Sequence, residues 1–380
     1  MLIWNAKWIE AEDEVRSIEK NNGLNHKNIT ARCSQKLGYI HQMLAKYSKA
    51  TEMLSKARTQ FKDIGDQLGV AQCLQSLGDI HRMQSRYSEA TEMLSKAKTQ
   101  FEAIGDQLGA AQCLQSLGNI RYMQDRYIEA TEMLSKAKAQ FEDLGGQLGV
   151  AQCLRSLGDI HRIQDRCSEA TEMLSKAKTQ FEQLGDQQGA THCLKSLGNI
   201  HWMQGRYSEA TEILSKAKTQ FDQIGDQLGA AQCLKSLGNI HRMQGRYSEA
   251  IEMLSKAKTQ FEEIGDQQGA AQCLQSLGNI NWMQDGRYSE ATEMLSKAKT
   301  QFEQIGDQLG AAQCLQSLGD IYSMQDRYSE ATEMLSKAKA QFEEIHNQQG
   351  AAQCLQSLAN IQSLEEEIGN TEMLSSVTLE

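Results

Sequence analysis

The feature that most constrains this chain is a period. A segment of the form "AQCLQSLGNI", at Ala111–Ile120, returns along the sequence with its cysteine as a marker. Cys33, Cys73, Cys113, Cys153, Cys193, Cys233 and Cys273 stand 40 residues apart; Cys314 follows after 41, because Gly286 adds one residue in "MQDGRY", and Cys354 after 40 again. A repeat of roughly 20 to 50 residues is one supersecondary unit that buries its apolar face only against its neighbours. Such a chain predicts a solenoid, one elongated domain with no large spherical core. The mean hydropathy of -0.55 agrees, being low for a chain of this length built around one core.

Within one repeat, residues 67–106, two amphipathic stretches stand out. Ala71, Leu74, Leu77, Gly78 and His81 fall at helical spacing, and Tyr87, Ala90, Leu94, Ala97, Phe101 and Ile104 recur at intervals of three and four. No alternating or β-branched run competes, so the chain is expected to be all-α, two helices (A and B) per repeat. The sequence has no proline, and glycine and aspartate mark the boundaries instead. Gly65 and Gly105 suit the left-handed conformation that ends a helix, and Asp66 and Asp106 suit the cap that opens the next. "QSR", "QDR" and "QGR" form the turn inside each pair. Gly78 sits in mid-helix at a propensity cost of about 1 kcal/mol, which close approach of helix B through Ala90 would offset.

Composition narrows the function classes. "MLIWNAKWIEAEDEVRS" is acidic where a signal peptide is apolar, and no apolar run approaches a membrane span, so a cytoplasmic location without membrane contact is expected. Ten cysteines in such a compartment are expected to be reduced thiols. The net charge of -10 is spread along the repeats, which argues against a nucleic-acid partner.

Cysteine and histidine together raise the question of a metal site. Cys73 and His81 are about 12 Å apart along one helix, and equivalent cysteines are separated by packed helices whose axes lie roughly 8 to 10 Å apart. Neither spacing allows bonds of about 2 Å to one zinc ion. The repeated cysteines are therefore expected to pack, with Cys167, at a turn, the better thiol nucleophile. The histidines read as half-buried helix-A side chains bonded to a neighbour. "GDQLG" lacks the lysine of a phosphate loop, and no serine has a converging histidine and carboxylate. No cofactor, metal or catalytic activity is expected.

The spacing of Leu74, Leu77-Gly78, Tyr87, Ala90, Leu94 and Ala97 resembles the tetratricopeptide repeat, in the 40-residue form of Pins-type spindle-orientation adaptors and kinesin light chains. Three departures stand out: proline is missing at the end of helix B, histidine replaces the helix-A aromatic, and Cys167 replaces the turn tyrosine. The resemblance implies a right-handed α-solenoid superhelix. It is expected to have an N-terminal half-repeat or cap helix at 1–26, where Trp8, Ala11, Val15 and Ile18 reproduce the helix-B seam. Eight helix pairs follow at 27–345, then a degenerate repeat or cap at 346–380 with a helix A, Ala359 for the glycine, and a worn helix B.

The same resemblance implies that helix A lines a concave groove through positions 2, 5, 9 and 12, counted with Gly78 as position 8. Position 12 varies while the packing positions do not: Arg82, Tyr122, Arg162, Trp202, Arg242 and Trp282 alternate a cation with an aromatic. With Asn119, Asn199, Asn239 and Asn279 at position 9 and Lys195 and Lys235 at position 5, they form the candidate peptide-binding groove. Duplication of an 80-residue double unit followed by drift is the favoured origin of the alternation, and a duplicated pattern can still bind. The carboxylate clamp of chaperone-tail binders is incomplete, since Ser236 and Ser276 occupy its asparagine position and Gln313 and Ser317 its last basic ones. The tail motifs by which Pins-type adaptors hold G-protein subunits are absent.

The expected function is a non-catalytic scaffold or adaptor that binds a peptide segment of a partner protein. The alternative is the sensor or autoinhibitory arm of a larger signalling ATPase. A monomer is expected, with end-to-end self-association as the variant that near-identical repeats allow.

Overall fold

The computed structural model describes residues 27–284 and 287–377, together with Asp13, Val15 and Ser17, with side chains as far as Glu366. Trp8, Ala11, Ile18 and Gly286 lie outside the described residues. The described residues are helices joined by short turns, with no strand among them.

Among the described residues, eight helix pairs and a last single helix follow one another in sequence. The A helices are Lys27–Met43, Gln67–Met83, Gln107–Met123, Gln147–Ile163, Gln187–Met203, Gln227–Met243, Gln267–Met283 and Gln308–Met324. Their B partners are Tyr47–Asp63, Tyr87–Ala103, Tyr127–Asp143, Cys167–Gln183, Tyr207–Ile224, Tyr247–Glu263, Tyr288–Ile305 and Tyr328–Glu344. Gln348–Val377 closes the series. The contacts group into two compact units, Met1–Ile200 and His201–Glu380.

In the first unit each B helix packs on its own A helix and on the next A helix. Ala90, Leu94, Ala97 and Phe101 carry that packing. Ala71 and Leu74 come from their own A helix, and Ala110, Cys113, Leu117 and Ile120 from the following one. Burying a phenylalanine or leucine this completely stabilises by about 2 to 3 kcal/mol each. Two glycines per repeat allow the approach. A Cβ on Gly78 would lie 2.6 Å from Leu94 Cγ, and one on Gly69 would lie 2.5 Å from the ring of Phe61. The first contact follows from the sequence pattern; the second shows that the "LG" opening helix A receives the phenylalanine of the preceding helix B.

The second unit repeats the scheme, with Ala250, Leu254, Ala257 and Phe261 against Ala231, Leu234, Cys273 and Ile280. Its last helix differs from the expected helix A with a worn helix B: Gln348–Val377 runs as one helix of 30 residues. Cys354 and Ile361 pack on the preceding pair, but Leu355 is 50% exposed where its counterpart Leu315 is 2% exposed. No helix B covers that face among the described residues, and the cramped glycine is accordingly replaced by Ala359, which is exposed.

The junctions behave as the sequence pattern requires. Gly65 and Gly105 have φ of +77°, and Asp66 and Asp106 accept hydrogen bonds from Gly69 N–H (2.8 Å) and Gly109 N–H (2.9 Å). One junction departs from this: Gly146 replaces the aspartate and makes no side-chain cap. The turns inside the pairs are left-handed as well, with φ of 59° at Ser85 and 58° at Asp125, which explains why aspartate or glycine stands there in most repeats.

Candidate functional site

Within each unit, successive A helices are tied by hydrogen-bond ladders of two kinds. In the first, position 5 donates to position 2 of the next repeat. Gln35 bonds Gln72 at 3.1 Å, Gln75 bonds Gln112 at 3.2 Å and Gln115 bonds Gln152 at 3.1 Å. In the second unit Gln275 bonds Gln313 and Gln316 bonds Gln353, both at 3.3 Å. The second ladder runs from the serine at position 6 back to position 9. Ser116 donates to Asp79 (3.2 Å), Ser156 to Asn119 (2.9 Å), Ser196 to Asp159 (2.7 Å) and Ser357 to Asp320 (3.1 Å). These bonds join residues 37 or 38 apart, so they become visible only once neighbouring helices are in register.

The ladders redistribute the expected groove residues. Asn119 is engaged by Ser156, whereas the side-chain oxygens of Asn199, Asn239 and Asn279 are buried without a hydrogen-bond partner. Lys235 bonds Gln272 at 2.5 Å and lies 5.8 Å from the centroid of Phe261, so it works within the stack. Burial pushes its ammonium group below the usual lysine range.

The position-12 side chains are all half-buried. Arg82 pairs with Asp79 at 3.4 Å and Arg162 with Asp159 at 3.6 Å. Tyr122 meets Tyr127 with ring centroids 6.2 Å apart. In the second unit Trp282 packs against the cluster around Leu295 and Phe302, and Arg242 carries a buried Nε with no partner. Trp202 is half-buried near the end of its helix.

In the first unit, residues from four successive A helices converge on one depression of about 260 Å³. Arg82, Asn119, Tyr122 and Lys195, all expected groove residues, meet there with Arg155, Asp159 and His192, which the sequence pattern had not singled out. The missed residues do carry a signal. Position 5 is glutamine in most repeats and position 2 in nearly all, so Arg155 and His192 are departures from a consensus, as Tyr122 is at position 12. A hollow of about 770 Å³ between the first two B helices is lined by Arg58, Lys62, Val70, Leu74, Ser95 and Thr99. Its serine and threonine walls are repeat consensus and single out no chemistry.

The remaining sequence candidates behave as packing groups. Cys73, Cys113, Cys153 and their counterparts are buried, and burial pushes these three thiols up to about 12. Cys167 is half-buried. The histidines depart from expectation: Nδ1 of His81, His161, His201 and His241 is buried without a partner, and burial lowers the pKa of all four. Among the described residues no group of three or more histidine, cysteine or carboxylate side chains could hold a metal ion, and no helix is long and apolar enough to cross a membrane.

Paired helices with an aromatic-small-leucine-small seam, stacked at a fixed period, define a helical-repeat protein of the tetratricopeptide class. The tetratricopeptide repeat family model matches residues 26–103, 107–183, 187–263, 241–304 and 270–344, and the chain belongs to that family. No curated protein sequence matches it. Among solved structures it is similar to a Rap protein in complex with the Competence and Sporulation Factor, with a TM-score of 0.62 and 16% identity, covering 89% of this chain and 98% of that one. The apo quorum sensor NprR from B. thuringiensis gives a TM-score of 0.66 at 12% identity over 89% and 97% of the two chains. A signal transduction ATPase with a tetratricopeptide repeat sensor from Pyrococcus horikoshii gives 0.60 at 13% identity, covering 87% of this chain and 52% of that one. These likenesses establish a shared α-solenoid fold.

Proposed function

We propose that the protein is a non-catalytic scaffold whose A helices bind a peptide segment of a partner protein. The observation that carries this reading is the convergence of four A helices on one depression where the repeat consensus is broken. The B-helix surface is nearly invariant from repeat to repeat, with exposed ion pairs such as Glu92–Lys96 and Glu172–Lys176 that solvent screens. A surface that distinguishes partners needs variation, and here the variation lies on helix A. Likeness to a Rap protein held with a signalling factor and to a quorum sensor supports a peptide ligand.

Selection of a displayed random dodecapeptide library tests the reading. Peptides recovered on the native protein should lose most of their binding to the Arg82→Glu, Tyr122→Ala double variant, which alters two residues lining the depression. Unchanged binding to the folded double variant, or recovery of no peptide, rejects it.

The second reading, a sensor arm of a signalling ATPase, is favoured by the likeness to the Pyrococcus horikoshii protein, of whose chain the matched part is about half. A nucleotide-binding module encoded in the same reading frame would move the balance to it. Capture of a partner by the isolated repeats, with no ATPase module in the transcript, removes it.

A further inference from the structure

We infer that the uncovered face of the last helix, Gln348–Val377, docks a basic amphipathic helix of a partner protein, in the place that helix B takes in the eight preceding pairs. The face lies apart from the depression in the first unit, and the inference does not rest on the peptide reading above.

The face keeps the residues of a covered one. In the preceding pair Ala312 and Leu315 are 0% and 2% exposed, in one cluster with Ala331, Leu335 and Ala338 of helix B. At the same register Ala352 and Leu355 are unchanged in type, yet both are exposed, Leu355 to 50%. Leu358 is half-buried where its counterpart Leu318 is buried. The other side of the helix is occupied, with Cys354 and Ile361 buried against the preceding pair. Nor does the helix cover itself. It runs on unbroken to Val377, so residues 365–377 extend about 20 Å along its axis instead of turning back. A single exposed leucine is ordinary, but an alanine-leucine stripe at positions that the preceding pair buries is a helix-packing face.

The end of that stripe sets the charge of the partner. Gln325, Asp326 and Arg327 form the turn of the preceding pair, with φ of 58° at Asp326. Glu365, Glu366 and Glu367 stand in their places; glutamate does not favour the left-handed conformation, and the helix continues. Glu365 and Glu366 are exposed, and Glu366 accepts the Gln362 amide at 3.4 Å, a neutral donor. No lysine or arginine follows Lys339 in the sequence, and Arg327 on the neighbouring helix is committed to Glu330 at 2.6 Å. Within a pair, helix B starts beside the end of helix A, where Arg327 N–H bonds the Tyr322 carbonyl at 3.0 Å. A helix docked in the same place brings its positive N-terminal end to Glu365 and Glu366, and lysine or arginine in that turn completes the match.

Ala359 makes the face selective. At Gly319 an added Cβ would lie 2.6 Å from Leu335 Cγ, so the methyl of Ala359 excludes a leucine docked at that depth. The partner helix carries a small residue there. Helices with the leucine of this chain's own B helices are poor occupants, which directs the face to another protein rather than to a second copy.

The test uses the full chain and fluorescein-labelled peptides built on residues 46–63, "KYSKATEMLSKARTQFKD", which hold the helix-B seam with Lys46 and Lys49 at its start. The probe carries Leu54→Ala; its match carries Lys46→Glu and Lys49→Glu as well. In fluorescence anisotropy the native protein should bind the lysine probe roughly tenfold tighter than the glutamate match. Leu355→Ser should lose that binding, and the Glu365→Lys, Glu366→Lys variant should prefer the glutamate match. All three positions are exposed, so both variants are expected to melt with the native protein. Ala359→Gly should admit the peptide that keeps Leu54, and Tyr122→Ala, in the depression, should change none of these results. Equal binding of the two peptides, binding that survives Leu355→Ser, or no binding of either peptide overturns the inference while the scaffold reading stands. A native dimer in sedimentation velocity that Leu355→Ser dissolves assigns the face to a second copy and likewise overturns it.

Discussion

Gly158→Ala should destabilise the fourth helix pair even though alanine is the better helix former. In an exposed helix the exchange would gain about 1 kcal/mol. Here the new methyl would lie 2.7 Å from Leu174 Cγ, 3.1 Å from Leu174 Cδ2 and 3.4 Å from the Ala170 carbonyl oxygen. Leu174 and Ala170 are fully buried, so the clash can be relieved only by separating the helices or forcing a rotamer. Overpacking of this kind costs about 1 to 3 kcal/mol. The net effect is a loss of about 1 kcal/mol, which corresponds to a roughly fivefold shift in an opening equilibrium.

Hydrogen exchange read over residues 147–183 is the appropriate assay, because repeat arrays open locally and a single global midpoint averages the effect away. Exchange there should be several-fold faster, with distant repeats unchanged. The sequence itself supplies the control: at the same repeat position Ala359 is exposed, with no helix B over it among the described residues. Ala359→Gly should therefore lower the stability of its helix by about 1 kcal/mol, the bare cost in helix propensity. If Gly158→Ala slows exchange, the close-approach argument fails, and with it the explanation of the glycine ladder.

Further outcomes follow from the same structure. Asp186→Ala removes the acceptor for Gly189 N–H at 2.8 Å and should cost about 1 kcal/mol, whereas Gly146→Asp should gain a few tenths; urea titration measures both signs. With a thiol reagent at pH 8, Cys167 should react first and the buried cysteines only on unfolding, since burial holds Cys153 and Cys193 at about 12; fast modification of several thiols would refute this. His81, His161 and His241 have lowered pKa values in the folded state. Below about pH 6.5 the unfolded chain therefore binds more protons than the native one, and stability should fall as pH drops through the folded-state pKa. His161→Asn, which installs the residue found at Asn281, should flatten part of that slope in melts between pH 7 and pH 5.

Much of the fold could be read from the sequence because the repeat states each packing rule many times over. Leu77, Gly78, Ala90 and Leu94 are legible as a seam from spacing alone, and Gly65-Asp66 as a stop and start. Gly69 was harder to place, because its reason is a ring eight residues back, Phe61, whose contact depends on the turn between helices. The last helix escaped the repeat logic, since a worn pattern still satisfies helical propensity when no partner helix is required to pack.

The site was legible in part. Tyr122 was conspicuous because it breaks a repeated position, and Arg155 and His192 break theirs in the same way. The sequence alone does not single them out, because the glutamine ladder that they interrupt links residues 37 apart. Lys235 shows the converse. Its composition suggested a groove cation, but Gln272 and Phe261 hold it inside the stack.

The central claim is that the A-helix face of the first unit holds the peptide, and site-specific photo-crosslinking tests it most directly. A benzophenone amino acid is placed at Tyr122, on helix A, and in a separate protein at Ser95, on helix B. The account predicts that a peptide selected on the native protein crosslinks from position 122 and not from position 95. Crosslinking from 95 alone would contradict it and move binding to the B helices.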